Sequence, residues 1–535
     1  MRPRRLELPR AFAHNDLNVA RLPIPPRPPV ILPPDKPGGW QVVAPSKALP
    51  RAQAAFVVSI TVSTTSHLAQ PLSLCPNAAY CPNMLDWLHI RREFRQVASL
   101  AWPVIVTSLN WTVMQLTDVA VVGLVSTDQA AILGASRTIS FVAVVAAIGA
   151  LTGVLVFAAK ANGAGNLPAT GRILREGLVL GALLCLMLAV PIYWLAEPML
   201  AGIGVAPSLL SGTATVVRII ALSLPFYITN FVLSYFLEGI SQPMRVTLVN
   251  LAVLPINAVL AWAMSGGHLG FAPGGAAGAA VATLIASALS ASGLAAAVWF
   301  LPQAQARGVR DFTPLAWAGV LRGAGAMLVF GAMPALAAMF ELGGFAIIIG
   351  LSTRLGDAVA HAYQIVFSVH NLLFAVAIGF GSAAGVRAGN AVGEGMPAAA
   401  TGRVMIALGG ALMTTGALVL ALIIARASFI AAFPATAEVR HLASAMLLLW
   451  LPFVLFDSAQ LVFAYALRSL GDQVATGVNS ILAYFVVTGG TGWLLYAAGY
   501  GATGLVVASA AGMVVAAMLH GARFAILSRR ACSKN

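Results

Sequence analysis

Three carboxylates stand where carboxylates are costly. Asp118 lies within MQLTDVAVVG, Glu341 within FELGGF and Asp457 within LPFVLFDSAQ, each inside a long apolar run. An ionisable side chain deep in a membrane helix costs at least about 2.5–3.5 kcal/mol on insertion scales, so it needs a reason. One reason is chemistry: each acid could load and release a proton, or hold a sodium ion, as access alternates between two sides. The alternative for each is a neutral, hydrogen-bonded interior carboxyl. Arg137 is the odd positive charge. It could be a counter-ion, a cavity group for anions, or a side chain snorkelling to an interface. Glu238 and Arg218 fall near the ends of apolar runs and read as interfacial. His361 and His370 read as polar cavity groups or as core histidines. Trp111, Met114, Tyr227, Tyr363, Phe367 and Phe453 could line a greasy cavity suited to flat cationic compounds, or simply pack helices.

The elements that must carry these groups are membrane helices. Of 535 residues, 59% are hydrophobic and only 9% charged, with a mean hydropathy of +0.88. A soluble domain needs roughly a quarter charged residues to cover its surface, so lipid is the solvent for most of this chain. The net charge of +14 does not point to nucleic acid, because the basic residues are scattered singly in loops rather than massed on one face. Twelve apolar runs are long enough to cross a bilayer: 97–125, 128–159, 174–197, 208–238, 244–265, 274–300, 320–352, 355–386, 403–425, 440–468, 474–497 and 500–526. The runs are continuous rather than alternating, which excludes a barrel and predicts an all-α polytopic protein. With the start placed in the cytoplasm, seventeen basic residues fall in cytoplasmic loops and ends. Only Arg137, Arg218, Arg354, Arg426 and Arg440 fall elsewhere. The positive-inside rule therefore predicts a multi-pass protein of the plasma (inner) membrane with both termini cytoplasmic.

Residues 1–90 are different material. Pro23, Pro25, Pro26, Pro28, Pro29, Pro33 and Pro34 crowd a basic stretch that cannot pack a core. This is read as a disordered tail or a mis-assigned start, with Met84 the alternative first residue. Cys75 and Cys81 are spaced C-x5-C without a partner pair, and Cys185 and Cys532 stand apart, so no metal site is read from cysteines.

The chain repeats itself. Pro103 and Pro334 are 231 residues apart, as are Thr170-Gly171-Arg172 and Thr401-Gly402-Arg403. Asn162-Gly163-Ala164-Gly165 precedes the first of these and Val392-Gly393-Glu394-Gly395 the second. Leu224-Pro225-Phe226 matches Leu451-Pro452-Phe453, Val249-Asn250 matches Val478-Asn479, and GAAVAT at 278–283 echoes GLVVAS at 504–509, all in the same order. Six spans per half is an even number, so the halves are parallel repeats with a site between or within them near mid-membrane. The predicted organisation is a first lobe over 91–302, a cytoplasmic linker over 303–319, and a second lobe with a short tail over 320–535. The repeat maps Glu341 onto Asn110 and Asp457 onto Asn230, whereas Asp118 maps onto Ile349. The halves share a scaffold but not their charges. Glu341 and Asp457 thus form a candidate cation site in the second lobe, where Na⁺ could be held. Asp118 forms a separate site in the first, with Asn257 and Thr283 as its polar partners.

No Walker motif, Gly-x-Ser-x-Gly elbow or HExxH is present. No catalytic residue and no cofactor are assigned, the chain is not read as an enzyme, and energy must come from an ion gradient or from substrate flow.

These phrases together resemble the multidrug and toxic compound extrusion (MATE) family, NorM-like branch. The resemblance runs from about residue 91 to about 526. It rests on LAWPVIVTSLNWTVMQLTDVAVVG, AAKANGAG, GISQPMRVTLVNLAVLPINAVLAW and LGFAPGGAAGAAVAT in the first half. In the second it rests on FELGGFAIIIGLSTRLGDAVAHAYQIV, GVRAGNAVGEG and FDSAQLVFAYALRSLGD. It implies twelve helices in two lobes around a cleft, and export of cationic or amphipathic compounds against H⁺ or Na⁺. It also implies that the acids of spans 7 and 10, here Glu341 and Asp457, hold the coupling cation. The span 1 acid matches Asp118 and the span 5 asparagine Asn257. Two departures stand out. Ala261 replaces a second acid found one turn after that asparagine in one branch. Phe453 replaces a tyrosine one turn before the span 10 acid, which tilts the reading toward H⁺. The long N-terminal tail is also not a family feature. The expected function is secondary active multidrug efflux by a monomer, with lipid and small cationic or amphipathic substrates as its only partners. The alternatives are a lipid-linked oligosaccharide flippase, which would want a cationic cavity, and an ion channel.

Overall fold

In the computed structural model the residues described are 87–533, all within the second of two units, 72–535. The proline-rich stretch, Met84, Cys75 and Cys81 lie outside them. Among the described residues there is no strand, and twelve helices of 24–41 residues are long and apolar enough to span a membrane. They are α1 (Trp87–Val125), α2 (Thr127–Gly163), α3 (Leu167–Gly202), α4 (Pro207–Gly239), α5 (Pro243–Gly266), α6 (Gly275–Trp299), α7 (Pro314–Arg354), α8 (Asp357–Gly393), α9 (Ala399–Ala431), α10 (Ala437–Ser469), α11 (Gln473–Ala497) and α12 (Gly501–Ala531). The count matches the reading from hydropathy. The helices run several residues past the apolar windows: α1 takes in the basic lead-in from Trp87, and α8 continues to Gly393 rather than 386.

Helix ends fall where the sequence supplies caps. Ser126 Oγ accepts from Gln129 N–H at 3.1 Å and Asn166 Oδ1 from Ala169 N–H at 3.1 Å. Prolines sit in the first turns of α3, α4 and α5, where their missing N–H costs nothing. Two helices are locally irregular. Pro452 lies in a tight 3₁₀ turn, Leu451–Phe453, inside α10. In α11 the stretch Ile481–Gly489 widens to a π-helix.

The packing repeats with a step of six helices. In the first half α2 packs on α4, α3 on α4, α4 on α6, α5 on α6 and α1 on α5. In the second half α8 packs on α10, α9 on α10, α10 on α12, α11 on α12 and α7 on α11. The halves meet through α1 on α8, α2 on α7 and α2 on α8. The largest apolar core joins them through residues such as Leu151, Val154, Leu155, Phe380 and Val386.

α1 and α7 each belong to both halves. The start of α1 lies on the second half: Arg387 of α8 donates to both carboxylate oxygens of Glu93, at 2.8 and 2.7 Å. After Pro103, α1 turns to α5, whose Thr247 hydroxyl donates at 2.8 Å to the Pro103 carbonyl. The start of α7 lies on the first half: Gly331 is pressed against the Ala150 carbonyl of α2. Beyond Pro334, α7 turns to α11.

The Asn162–Gly165 and Val392–Gly395 repeats turn out to be a contact between the halves. Gly163 lies against the Asn390 backbone, and Gly393 against the carbonyl of Lys160, so closely that a Cβ on either would overlap it. The linker over 303–319 is tied down. Arg307 donates to Thr170 Oγ1 and Asn162 Oδ1, both at 3.0 Å, and Arg175 of α3 donates to the carbonyls of Gly308 at 2.7 Å and Ala316 at 3.1 Å. The Thr313 hydroxyl and N–H hold the Asp311 carboxyl in this segment below its ordinary pKa.

Candidate functional site

Asp457 sits one turn after the 3₁₀ break in α10 and is 1% exposed. Three donors from three helices close on it. Tyr484 Oη of α11 donates to Oδ1 at 2.9 Å, and Gln460 Nε2, on the next turn of α10, donates to Oδ1 at 3.3 Å. His370 Nε2 of α8 lies 3.0 Å from Oδ2. With Asp457 ionised, that nitrogen carries the proton. Tyr484 is carried by the π-helical stretch of α11, an irregularity that commonly re-aims a side chain at a working position. Glu341, on α7, is half-buried and makes no hydrogen bond to any described residue, yet it is within electrostatic reach of Asp457 and Arg468. Gly344, one turn later, lets α7 lie directly on the Tyr484 backbone.

Asp118 forms a second centre in the first half. Asn257 Nδ2 of α5 donates to its Oδ1 at 3.1 Å and Thr283 Oγ1 of α6 to its Oδ2 at 3.3 Å. These are the two partners expected for it. Arg137 donates to the Gln115 carbonyl of α1 at 3.0 Å and makes no ion pair with Asp118. Ala261, where one branch carries an acid, is fully buried.

Asn110 and Asn230 also converge. Asn110 Nδ2 donates to the Asn250 carbonyl at 3.3 Å, and Asn230 Nδ2 donates to Asn250 Oδ1 at 3.5 Å and Ser290 Oγ at 2.5 Å. Both asparagines of the first half thus bond to Asn250. Asn250 and Ser290 were not singled out as site residues. Asn250 was visible only as a member of the repeat.

A cavity of about 200 Å³ opens beside this amide cluster. Trp111, Met114 and Tyr227 line it, as expected, together with Phe231 and, from the second half, Ile378, Ser382 and Tyr465. Four expected lining residues do not. Tyr363 is fully buried with its hydroxyl 3.1 Å from Ser509 Oγ, and Phe367 packs between Phe345 and Tyr363. Phe453 stacks on Phe456, and Arg137 is turned toward Gln115 and Asp118. His361 is exposed, so only His370 joins a polar cluster. Glu238, read as interfacial, is 7% exposed and lines the cavity.

The MatE family profile matches the chain twice, at residues 103–263 and again at 334–493. The chain belongs to the MATE family. Both matches begin at the prolines that first disclosed the repeat. A probable multidrug resistance protein NorM of Caulobacter vibrioides is 31% identical over 491 residues, covering 88% of this chain and 98% of that protein. One of the same name from Bradyrhizobium diazoefficiens is 29% identical over 478 residues, covering 88% and 99%. Among solved structures, the eukaryotic MATE transporter AtDTX14 superposes with a TM-score of 0.73 at 21% identity, covering 83% of this chain and 99% of that one. A MATE protein in the straight conformation gives 0.75 at 17% identity, covering 83% and 97%. The likeness in fold extends through both halves of this MATE chain, including the helices that carry Asp118, Glu341 and Asp457.

Proposed function

We propose that this protein is a secondary active exporter of cationic or amphipathic small molecules, driven by inward movement of H⁺ or Na⁺ and working by alternating access between its two halves. The observation that carries the reading is Glu341 and Asp457, two acids in apolar helices of one half and within electrostatic reach of each other, together with a cavity lined from both halves. The NorM relatives, described as multidrug resistance proteins, support the substrate class. The surroundings of Asp457 favour H⁺. Its neighbours are a hydroxyl, an amide N–H and a ring nitrogen, which suit a carboxyl that takes and gives a proton better than an oxygen cage for sodium. Orientation with both ends in the cytoplasm of the inner membrane, a monomeric state and the lobe limits 91–302 and 320–535 belong to the same proposal. A lipid-linked oligosaccharide flippase is disfavoured, because no Lys or Arg is among the residues lining this cavity.

The test is ethidium efflux from cells expressing the chain, with Glu341→Gln and Asp457→Asn beside it. Each substitution is expected to reduce efflux by about tenfold or more. If both variants extrude ethidium as wild type does, coupling through this pair is wrong. Efflux that proceeds unchanged without sodium and collapses with the proton gradient assigns H⁺; the opposite dependence assigns Na⁺.

A further inference from the structure

Two other buried carboxylates, Glu93 and Glu176, are ion-paired with arginines. Glu93 holds Arg387 through two oxygens, and Glu176 accepts from Arg172 Nε at 2.8 Å. Glu238 is as buried as these and has no such partner. Its one hydrogen bond within the described residues comes from Ser382 Oγ of α8, at 2.7 Å, and no Lys, Arg or His forms an ion pair with it. An ionised carboxylate out of water calls for a positive partner, and a neutral hydroxyl does not supply one.

Glu238 is also the one carboxylate among the residues that line the cavity. Other lining atoms wait for partners as well. Asn110, 9% exposed, has no hydrogen bond to its Oδ1, and the Trp111 indole N–H has none either. Asn110 meets Asn250 beside Asn230, and Asn230 precedes Glu238 by eight residues on α4. At 1.5 Å per residue, that places the Asn230 level about 12 Å from Glu238 along the helix. Phe231 lies between the two ends with Trp111 edge-on to it, and Tyr227 lies one turn beyond Asn230.

We propose that Glu238 is the charge-recognition subsite of this cavity. It would take the cationic nitrogen of a flat aromatic amine or iminium compound whose ring body lies along the Trp111 and Phe231 faces, with Asn110 Oδ1 accepting from an N–H at the far end. The subsite is separate from the Glu341–Asp457 pair and rests on the export reading. Because Ser382 comes from the other half of the molecule, the carboxylate is oriented by a contact between the halves.

The experiment uses the full chain in lipid nanodiscs. Binding of ethidium is followed by fluorescence anisotropy, and binding of neutral phenanthridine, the same ring system without the charge, by competition. Glu238→Gln is expected to weaken ethidium about tenfold or more and leave phenanthridine within about twofold, a difference of at least about 1.4 kcal/mol for charge alone. Glu238→Asp, which keeps the charge, is expected to recover most of the ethidium affinity. Equal ethidium binding by wild type and Glu238→Gln overturns the subsite and leaves the export reading standing. Parallel loss of both ligands overturns it too, since packing rather than charge was then removed. If wild type binds no ethidium, the export reading fails and the subsite falls with it.

Discussion

The hydroxyl of Tyr484 on α11 donates to Oδ1 of Asp457 on α10 across 2.9 Å, and both side chains are 1% exposed. The position one turn before Asp457 is Phe453, which has no oxygen to offer. An oxygen therefore still reaches the acid, from a different helix. A hydrogen bond to a charged group contributes about 1.5–3 kcal/mol. Tyr484→Phe is accordingly expected to lower ethidium efflux about tenfold while the protein unfolds within a few degrees of wild type by thermal shift. Unchanged efflux would show that the hydroxyl is idle in transport.

Asp118 and Asn257 should behave as a unit. Their bond joins α1 to α5 at 3.1 Å within a buried site. Interhelical hydrogen bonds in membranes average about 0.6 kcal/mol and reach about 1.7. A double-mutant cycle with Asp118→Asn and Asn257→Ala, read as unfolding free energy in detergent, is expected to return a coupling of about 1 kcal/mol. Strictly additive effects would mean that the contact contributes nothing to stability.

The contact between the halves at Gly393 has no room for a side chain. Gly393→Val is expected to push α8 off the Lys160 carbonyl, cut efflux about tenfold or more, and lengthen distances between spin labels on α2 and α8 at that end. Gly134, with open space around it, is the control: Gly134→Ala should match wild type in both readouts. A Gly393→Val protein with wild-type distances would show that the halves do not need this close approach.

Much of the scaffold was legible because lipid imposes a one-dimensional rule, and hydropathy alone yielded twelve helices. The acids stood out as exceptions to it. The repeat went further by setting Glu341 and Asp457 against Asn110 and Asn230, and in the structure both asparagines bond to Asn250. What stayed hidden depends on neighbours distant in sequence. Tyr484 approaches Asp457 only because α11 carries a π-helical stretch that no periodicity discloses. Glu238 read as interfacial because it lies one residue from the end of α4. Being near the end of a helix says nothing about whether another half closes over that end, and here α8 does. Aromatic residues were the least legible: Tyr363 and Tyr227 look alike as letters, and only packing separates a core ring from a cavity wall.

The crossing of α1 and α7 between halves has a mechanical consequence. Each begins on the opposite half, passes a proline, and carries its acid beyond it: Pro103 then Asp118, Pro334 then Glu341. Each acid therefore rides at the far end of a lever whose handle is gripped by the other half. The 303–319 segment is held by Arg175 and Arg307, so it leaves little slack to absorb a displacement. A tilt of one half against the other would be carried along these two rods toward the carboxylates.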